Sequence, residues 1–270
     1  MGRGFAALSL MASFRRIVLF LSWLVAASTS ALAGAFLIEE GETQAIATLR
    51  AASAVRVFDA YGRAASAPRF VKTELTALGE YGYSRDLTLI FQPSVADVGS
   101  RASGARERGW AGGEFGGRWL LARFGDNVLS AQAVAVTPGA FDRAGLGGTR
   151  RAGADFRLLY GKPFTLLGMG GFLSVEGGAR LYGGGRAEAR FETTLGVRPG
   201  ENWLILAQSY LSASRRDDFH RYGQAALKSD LSVVYRIDAR WSAQVGYGAT
   251  TLGRSTAAMS GPFAAVWARF

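Results

Sequence analysis

The stretch EARFETTLGVR, residues 188–198, decides the fold class because its polar and apolar side chains alternate. Glu188, Arg190 and Glu192 share one parity, and Phe191 and Leu195 share the other. Successive side chains of a β-strand point to opposite faces, so this spacing creates one polar and one apolar face. A helix would mix the two sets on every face, and the sequence therefore predicts a strand.

Short turns rich in glycine, proline, asparagine and aspartate recur along the chain on both sides of this strand. Their centres lie near residues 84, 125, 162, 200 and 238, a spacing of about 38 residues that indicates a repeated two-strand unit. Longer polar connections alternate with these turns. The twelve predicted strands cover approximately residues 43–52, 70–81, 87–96, 110–123, 128–136, 151–160, 165–182, 188–198, 203–212, 222–236, 241–250 and 259–270.

An even number of strands, with short turns at one end and longer loops at the other, is typical of bacterial outer-membrane barrels. The apolar parity, as in Leu89 and Phe91, would face lipid, and aromatic residues such as Trp203 and Trp241 flank the short turns. We predict an all-β fold, a transmembrane antiparallel up-and-down β-barrel of about 12 strands over residues 34–270. The alternatives are a soluble β-sandwich and a β-propeller, although a propeller needs four strands per repeat.

The first 33 residues have the organisation of a secretory signal peptide. Arg15 and Arg16 precede a short apolar run, residues 17–27, and the segment ends in an A-x-A site at residues 31–33. The run is too short to span a membrane as a helix. We therefore expect export, cleavage after Ala33 and localisation in the bacterial outer membrane.

The C-terminal sequence VWARF, residues 266–270, places small or apolar residues at alternating positions before a terminal Phe270. This ending resembles the assembly signal of bacterial outer-membrane β-barrel proteins. The resemblance implies that Phe270 is recognised by the barrel-assembly machinery. Known twelve-stranded barrels include channels, a phospholipase and autotransporter translocators, so the resemblance does not choose between functions.

The inward parity of the predicted strands carries charges of both signs, which are too costly to place against lipid. We interpret these residues either as the constriction of a hydrated pore or as ion pairs that plug a narrow barrel. Inward glycines, such as Gly196, Gly246 and Gly248, slightly favour the pore. The main lumen and constriction candidates are Lys72, Glu74, Glu114, Arg118, Arg157, Glu176, Arg180, Arg190, Glu192 and Lys228.

The longer connections are rich in arginine, including Arg56, Arg106 and Arg108. Guanidinium groups there could bind phosphates of lipopolysaccharide, attract anionic solutes or simply aid solubility. Nucleic acid is not an expected partner, because the chain is exported and its basic residues are dispersed. The leading hypothesis is a passive channel for small hydrophilic solutes, with a weak preference for anions. A plugged barrel that binds lipopolysaccharide or an envelope partner is the alternative.

A surface hydrolase of the omptin or phospholipase type is the third hypothesis. The chain has no cysteine and one histidine, so neither a disulfide framework nor a zinc site is expected, and no cofactor is predicted. His220 follows Asp217 and Asp218, and the Asp218-x-His220 spacing resembles the Asp–His pair of omptin proteases. A second acidic pair of the omptin kind cannot be identified, and a solvated loop histidine is the simpler interpretation.

Overall fold

A computed structural model describes residues 34–100, 104–140, 151–214 and 223–270, which belong to one unit spanning Ala33–Phe270. These residues form twelve long strands and a two-residue strand. The strands are β1 (Thr43–Phe58), β2 (Ala64–Ser84), β3 (Leu87–Ser100), β4 (Arg106–Phe124), β5 (Asn127–Thr137), β6 (Gly153–Leu166), β7 (Met169–Tyr182), β8 (Ala187–Gly200), β9 (Trp203–Ser214), β10 (Ala225–Arg236), β11 (Trp241–Arg254), β12 (Thr256–Ala257) and β13 (Ser260–Arg269).

The long strands form a closed antiparallel barrel in which each pairs with its neighbours in sequence order. Strand β1 closes the ring because it pairs with β2 on one side and with β13 on the other. At the seam, Thr43 and Phe270 exchange backbone hydrogen bonds of 2.9 and 3.0 Å. Closure leaves no strand edge, which is the requirement for a sheet that crosses lipid. The predicted fold of twelve barrel strands is confirmed.

The two faces of the wall follow the alternation read from the sequence. On β3, Leu89 and Phe91 point outward and are exposed, whereas Thr88 and Ile90 point inward and are buried. Aromatic side chains meet at the short-turn rim, where the rings of Trp203 and Tyr235 lie 4.7 Å apart. Tyrosine and tryptophan at this height fit the depth of lipid headgroups. In the described part of the chain, no helix is long and apolar enough to cross a membrane.

The prediction of a short turn at residues 161–163 is wrong. Strand β6 continues through these residues to Leu166, and the turn lies at Leu167 and Gly168, both with positive φ (52° and 77°). Gly161 is part of the sheet and supplies space on its inner face, as described below. The predicted seventh strand, residues 165–182, consequently included the turn.

The strands also extend further toward the loop rim than predicted. Much of the predicted loop 53–69 is strand, because β1 continues to Phe58 and β2 begins at Ala64.

At the opposite rim, the Asp238 carboxylate accepts hydrogen bonds from the N–H groups of Trp241 and Arg240, both 2.7 Å long. These bonds lower the pKa of Asp238 from its ordinary value and fix the turn between β10 and β11.

Candidate functional site

Asp155 is the centre of an ion-pair network on the inner wall. It lies near the loop end of β6 and is fully buried. Its carboxylate accepts hydrogen bonds from Arg157 (2.7 Å), Arg180 (2.8 Å) and Arg190 (2.9 Å), which come from β6, β7 and β8. A buried carboxylate without partners would be strongly destabilising, and three guanidinium groups compensate for that cost.

The network extends to four further carboxylates on β4, β7 and β8. Arg180 binds Glu114, and Arg157 lies 3.3 Å from Glu176 and 3.2 Å from Glu192. We call this set the Asp155 network. It consists of Glu114, Asp155, Arg157, Glu176, Arg180, Glu188, Arg190 and Glu192. Six of the ten predicted lumen residues are therefore brought together here.

The other four predicted residues lie elsewhere on the inner wall. Arg118 on β4 pairs with Glu80 at 3.0 Å, close to the short-turn rim. Lys72 and Glu74 on β2 pair at 2.9 Å, with 28% and 26% of their side chains exposed. Lys228 on β10 is exposed although it has the inward parity of its strand. The lumen beside β2 and β10 is therefore accessible to water.

Arg50 of β1 joins Lys72 and Lys228 on this accessible side, and its guanidinium pairs with Asp230 of β10. Strand β1 lies six strands from β7 in either direction around the ring, so this cationic side faces the Asp155 network. The ion pairs of the described lumen, together with Lys228, contain seven cationic and eight acidic side chains. They are Arg50, Lys72, Arg118, Arg157, Arg180, Arg190 and Lys228, and Glu74, Glu80, Glu114, Asp155, Glu176, Glu188, Glu192 and Asp230.

Residues 34–38, which precede β1, lie inside the barrel near the short-turn rim. We call them the N-terminal segment. The Ala35 N–H donates to the Ser174 hydroxyl (3.0 Å), and the Ser130 hydroxyl donates to the Ala35 carbonyl (2.9 Å). Arg118 donates to the Phe36 carbonyl at 3.0 Å. The Ile38 N–H donates to Thr88 at 2.9 Å. Side chains of β3, β4, β5 and β7 thus satisfy backbone groups that would otherwise be buried without partners.

Phe36 anchors the N-terminal segment by packing. Its ring meets that of Phe172 edge-on at 6.3 Å, and both side chains are buried. Gly161 lies behind the ring, where an added Cβ would be 2.8 Å from two of its atoms. Strand alternation and turn spacing did not predict this segment. The available signal was the apolar run Ala-Phe-Leu-Ile, residues 35–38, between the predicted cleavage site and the first strand.

The inward glycines give less support to an open pore than their small size indicated. A Cβ on Gly196 would overlap the Phe172 ring, and one on Gly246 would overlap the Phe263 ring. A Cβ on Gly248 would overlap the ion pair of Arg50 and Asp230. These glycines make room for larger lumen side chains rather than for solvent.

The hydrolase hypothesis depends on Asp217, Asp218 and His220. These three residues lie outside the described residues. Within the described ranges, no group of three or more histidine, aspartate or glutamate residues is arranged to hold a metal ion.

Comparison with known proteins gives the fold but no closer kinship. No family model matches the sequence, and no curated protein matches it. An outer membrane channel from Pseudomonas putida F1 has a similar structure, with a TM-score of 0.72 at 11% identity, covering 89% of this chain and 100% of that one. The translocator domain of the autotransporter NalP from Neisseria meningitidis matches with a TM-score of 0.48 at 10% identity, covering 98% and 97%. The chain has the fold of bacterial outer-membrane β-barrel proteins.

Proposed function

We propose that this protein is a narrow passive channel for small hydrophilic solutes across the bacterial outer membrane. The observation that carries the proposal is the asymmetry of the inner wall. Every side chain of the Asp155 network is ion-paired and at most 21% exposed, whereas those of Lys72 and Glu74 across the lumen are 28% and 26% exposed and Lys228 is exposed. Solutes would pass along this accessible side, where hydrated charges replace part of their solvation shell.

The ion-paired side chains of the described lumen, together with Lys228, do not by themselves favour anions, because their acidic and cationic groups are nearly equal in number. An anion preference would come from the inward Arg198 and Arg269 and from the loop arginines, which raise the local concentration of anions at the mouth. We therefore expect a small conductance with weak selectivity. The N-terminal segment would set the narrowest part of the path near the short-turn rim.

Conductance through planar bilayers tests the proposal. The folded barrel should give reproducible channel steps, and Lys228→Glu should shift the reversal potential in a salt gradient toward cations. Lys162→Glu is a matched control, because Lys162 lies on the outer face of β6, opposite in parity to the inward Gly161. A correctly folded barrel that remains silent would contradict the proposal, as would equal shifts in the two variants.

A plugged barrel that binds an envelope partner is the second candidate, and the buried hydrogen bonds of the N-terminal segment favour it. The two candidates differ in one measurable respect, since a permanent plug gives no channel steps under any voltage. Partners common to both are outer-membrane lipid, lipopolysaccharide and the barrel-assembly machinery. The surface hydrolase receives no support from the described residues.

Export by a signal peptide cleaved after Ala33 completes the proposal. Cleavage there would leave Gly34 as the first residue, directly before Ala35, whose backbone is bound inside the barrel. N-terminal sequencing of protein extracted from outer membranes should begin at Gly34. A mature end beyond residue 38 would remove the N-terminal segment and contradict both the site and its assigned role.

A further inference from the structure

Three charged residues form a compact group on the outer face of β3 and β4. Asp97 pairs across the strands with Arg108, and the next outward pair toward the loop rim is Gly99 with Arg106. One step toward the membrane centre, Val95 pairs with Trp110, and both side chains are exposed on the outer wall. Cross-strand partners share a face, so Asp97, Arg106 and Arg108 also point away from the lumen. We call them the Asp97 clamp.

The Asp97 carboxylate holds both guanidinium groups in fixed orientations. Arg106 donates through Nε at 2.7 Å and Nη2 at 2.8 Å, and Arg108 donates through Nε at 2.9 Å and Nη2 at 2.6 Å. The Asp97 side chain is only 16% exposed, whereas those of Arg106 and Arg108 are 71% and 77% exposed. Each arginine therefore uses one edge on Asp97 and presents its remaining N–H donors outward, and the group keeps a net positive charge.

The height of the Asp97 clamp on the wall identifies its surroundings. Trp110 marks the interface on the loop side, which faces the outer leaflet when short turns are periplasmic. Arg108 lies two residues farther along β4, roughly 7 Å of strand beyond Trp110. At that height a lipid presents the polar part of its headgroup rather than acyl chains. Fixed guanidinium forks match the oxygens of a phosphate group in geometry and charge.

We propose that the Asp97 clamp binds a phosphate group of a phosphorylated glycolipid in the outer leaflet. Arg106 and Arg108 contact the phosphate oxygens, and Asp97 is a positioning residue that orders both arginines before the lipid arrives. Trp110 lies one step closer to the membrane centre, beside the acylated sugars of the same lipid. The inference depends on the barrel lying in the outer membrane and holds whether or not its lumen conducts.

Lipid binding to the full mature chain in detergent micelles tests the proposal. The probe is diphosphorylated lipid A, followed by native mass spectrometry or titration of tryptophan fluorescence. The double variant Arg106→Gln/Arg108→Gln should bind about tenfold more weakly, because the bidentate charge-assisted bonds are lost. Arg85→Gln/Arg123→Gln removes two exposed arginines at the short-turn rim and should bind like wild type. Equal weakening in both double variants would overturn the proposal.

Asp97→Asn separates positioning from simple charge attraction. If arginine charge alone attracted the phosphate, removing the carboxylate would strengthen binding. If Asp97 orders the arginines, binding should weaken by about threefold in the variant. Lipid binding must then include the loss of side-chain conformational entropy of both arginines. Tighter binding would contradict the positioning role.

Dephosphorylated lipid A should bind wild type and the Arg106→Gln/Arg108→Gln variant equally well, because it has no phosphate for the arginines to contact. Sodium phosphate alone should compete only weakly with lipid A. Strong competition by sodium phosphate would identify a free-anion site instead and overturn the lipid assignment.

Discussion

Phe36 and Gly161 show how one side chain and one missing side chain hold the N-terminal segment inside the barrel. The Phe36 ring occupies the space that any other residue at position 161 would fill, and Phe172 closes it from the side. The N-terminal segment is therefore held by shape as well as by hydrogen bonds. Glycine in the middle of a strand is otherwise unfavourable, because it offers no side chain for packing.

Gly161→Ala should displace the N-terminal segment and increase single-channel conductance. The added methyl group would lie 2.8 Å from the Phe36 ring, which must move because the backbone of β6 is fixed in the sheet. Gly170→Ala is the matched control, since a Cβ there meets nothing within 4 Å. Conductance recorded in planar bilayers should rise for the first variant and for Phe36→Ala. Unchanged conductance in both would show that this segment does not limit the path.

Contacts between individual lumen side chains were the least predictable feature of the sequence. Alternation identifies which side chains face inward, and all ten predicted lumen residues carry inward parity or lie in lumen ion pairs. Alternation cannot reveal which of them meet, because contacts across the barrel depend on stagger and on the length of each side chain. The pairing of Arg180 on β7 with Glu114 on β4 is of this kind.

At the scale of a single hairpin, the turn between β6 and β7 uses an unfavourable residue. Leu167 adopts a φ of 52°, followed by Gly168 at 77°, as a two-residue hairpin turn with left-handed geometry requires. The left-handed region costs a leucine roughly 1–2 kcal/mol, whereas asparagine tolerates it. Because leucine rarely occupies such a turn, the sequence instead predicts the turn at the glycine and proline of residues 161–163.

Leu167→Asn should raise the free energy of unfolding by about 1 kcal/mol, because it relieves this backbone strain. Leu167 is almost fully exposed, so little packing is lost. Urea unfolding of the refolded barrel, monitored by tryptophan fluorescence, measures the change. Leu166→Asn changes the neighbouring residue, which has no positive φ, and should not stabilise. A stabilisation shared by the two variants would argue against relief of strain.

Closure of the barrel is the main feature of the overall architecture. Strand count, strand direction and the apolar outer face were all predictable, because each follows from a local period that repeats through the chain. The N-terminal segment was not, since it has no periodicity and is held by groups from five separate strands, β3 to β7. Phe270 lies at the seam, 60% exposed, with its ring edge-on to Trp241 at 6.3 Å.

Phe270→Ala should reduce stability by only about 1 kcal/mol in detergent, because the ring is partly exposed and its backbone hydrogen bonds to Thr43 remain. The yield in cellular outer membranes should fall much more if the assembly machinery recognises the terminal ring. Trp241→Ala removes the same ring contact but leaves the terminus intact. Folded protein is quantified for both variants after refolding in detergent and in cellular outer membranes. Equal yields for the two variants in cells would mean that Phe270 has only a structural role.

Asp155 also determines how the barrel would yield to mechanical force. Adjacent strands joined only by backbone bonds can be peeled away one hairpin at a time when the C-terminal end is pulled. Asp155 connects β6, β7 and β8 through three arginines, and Arg180 extends the connection to Glu114 on β4. Strands β4 to β8 would therefore resist as one block and leave the membrane together. In a stretching experiment, a single long extension of β4 to β8 would follow the extraction of β13 to β9, in which the ion pair of Arg50 and Asp230 must also break.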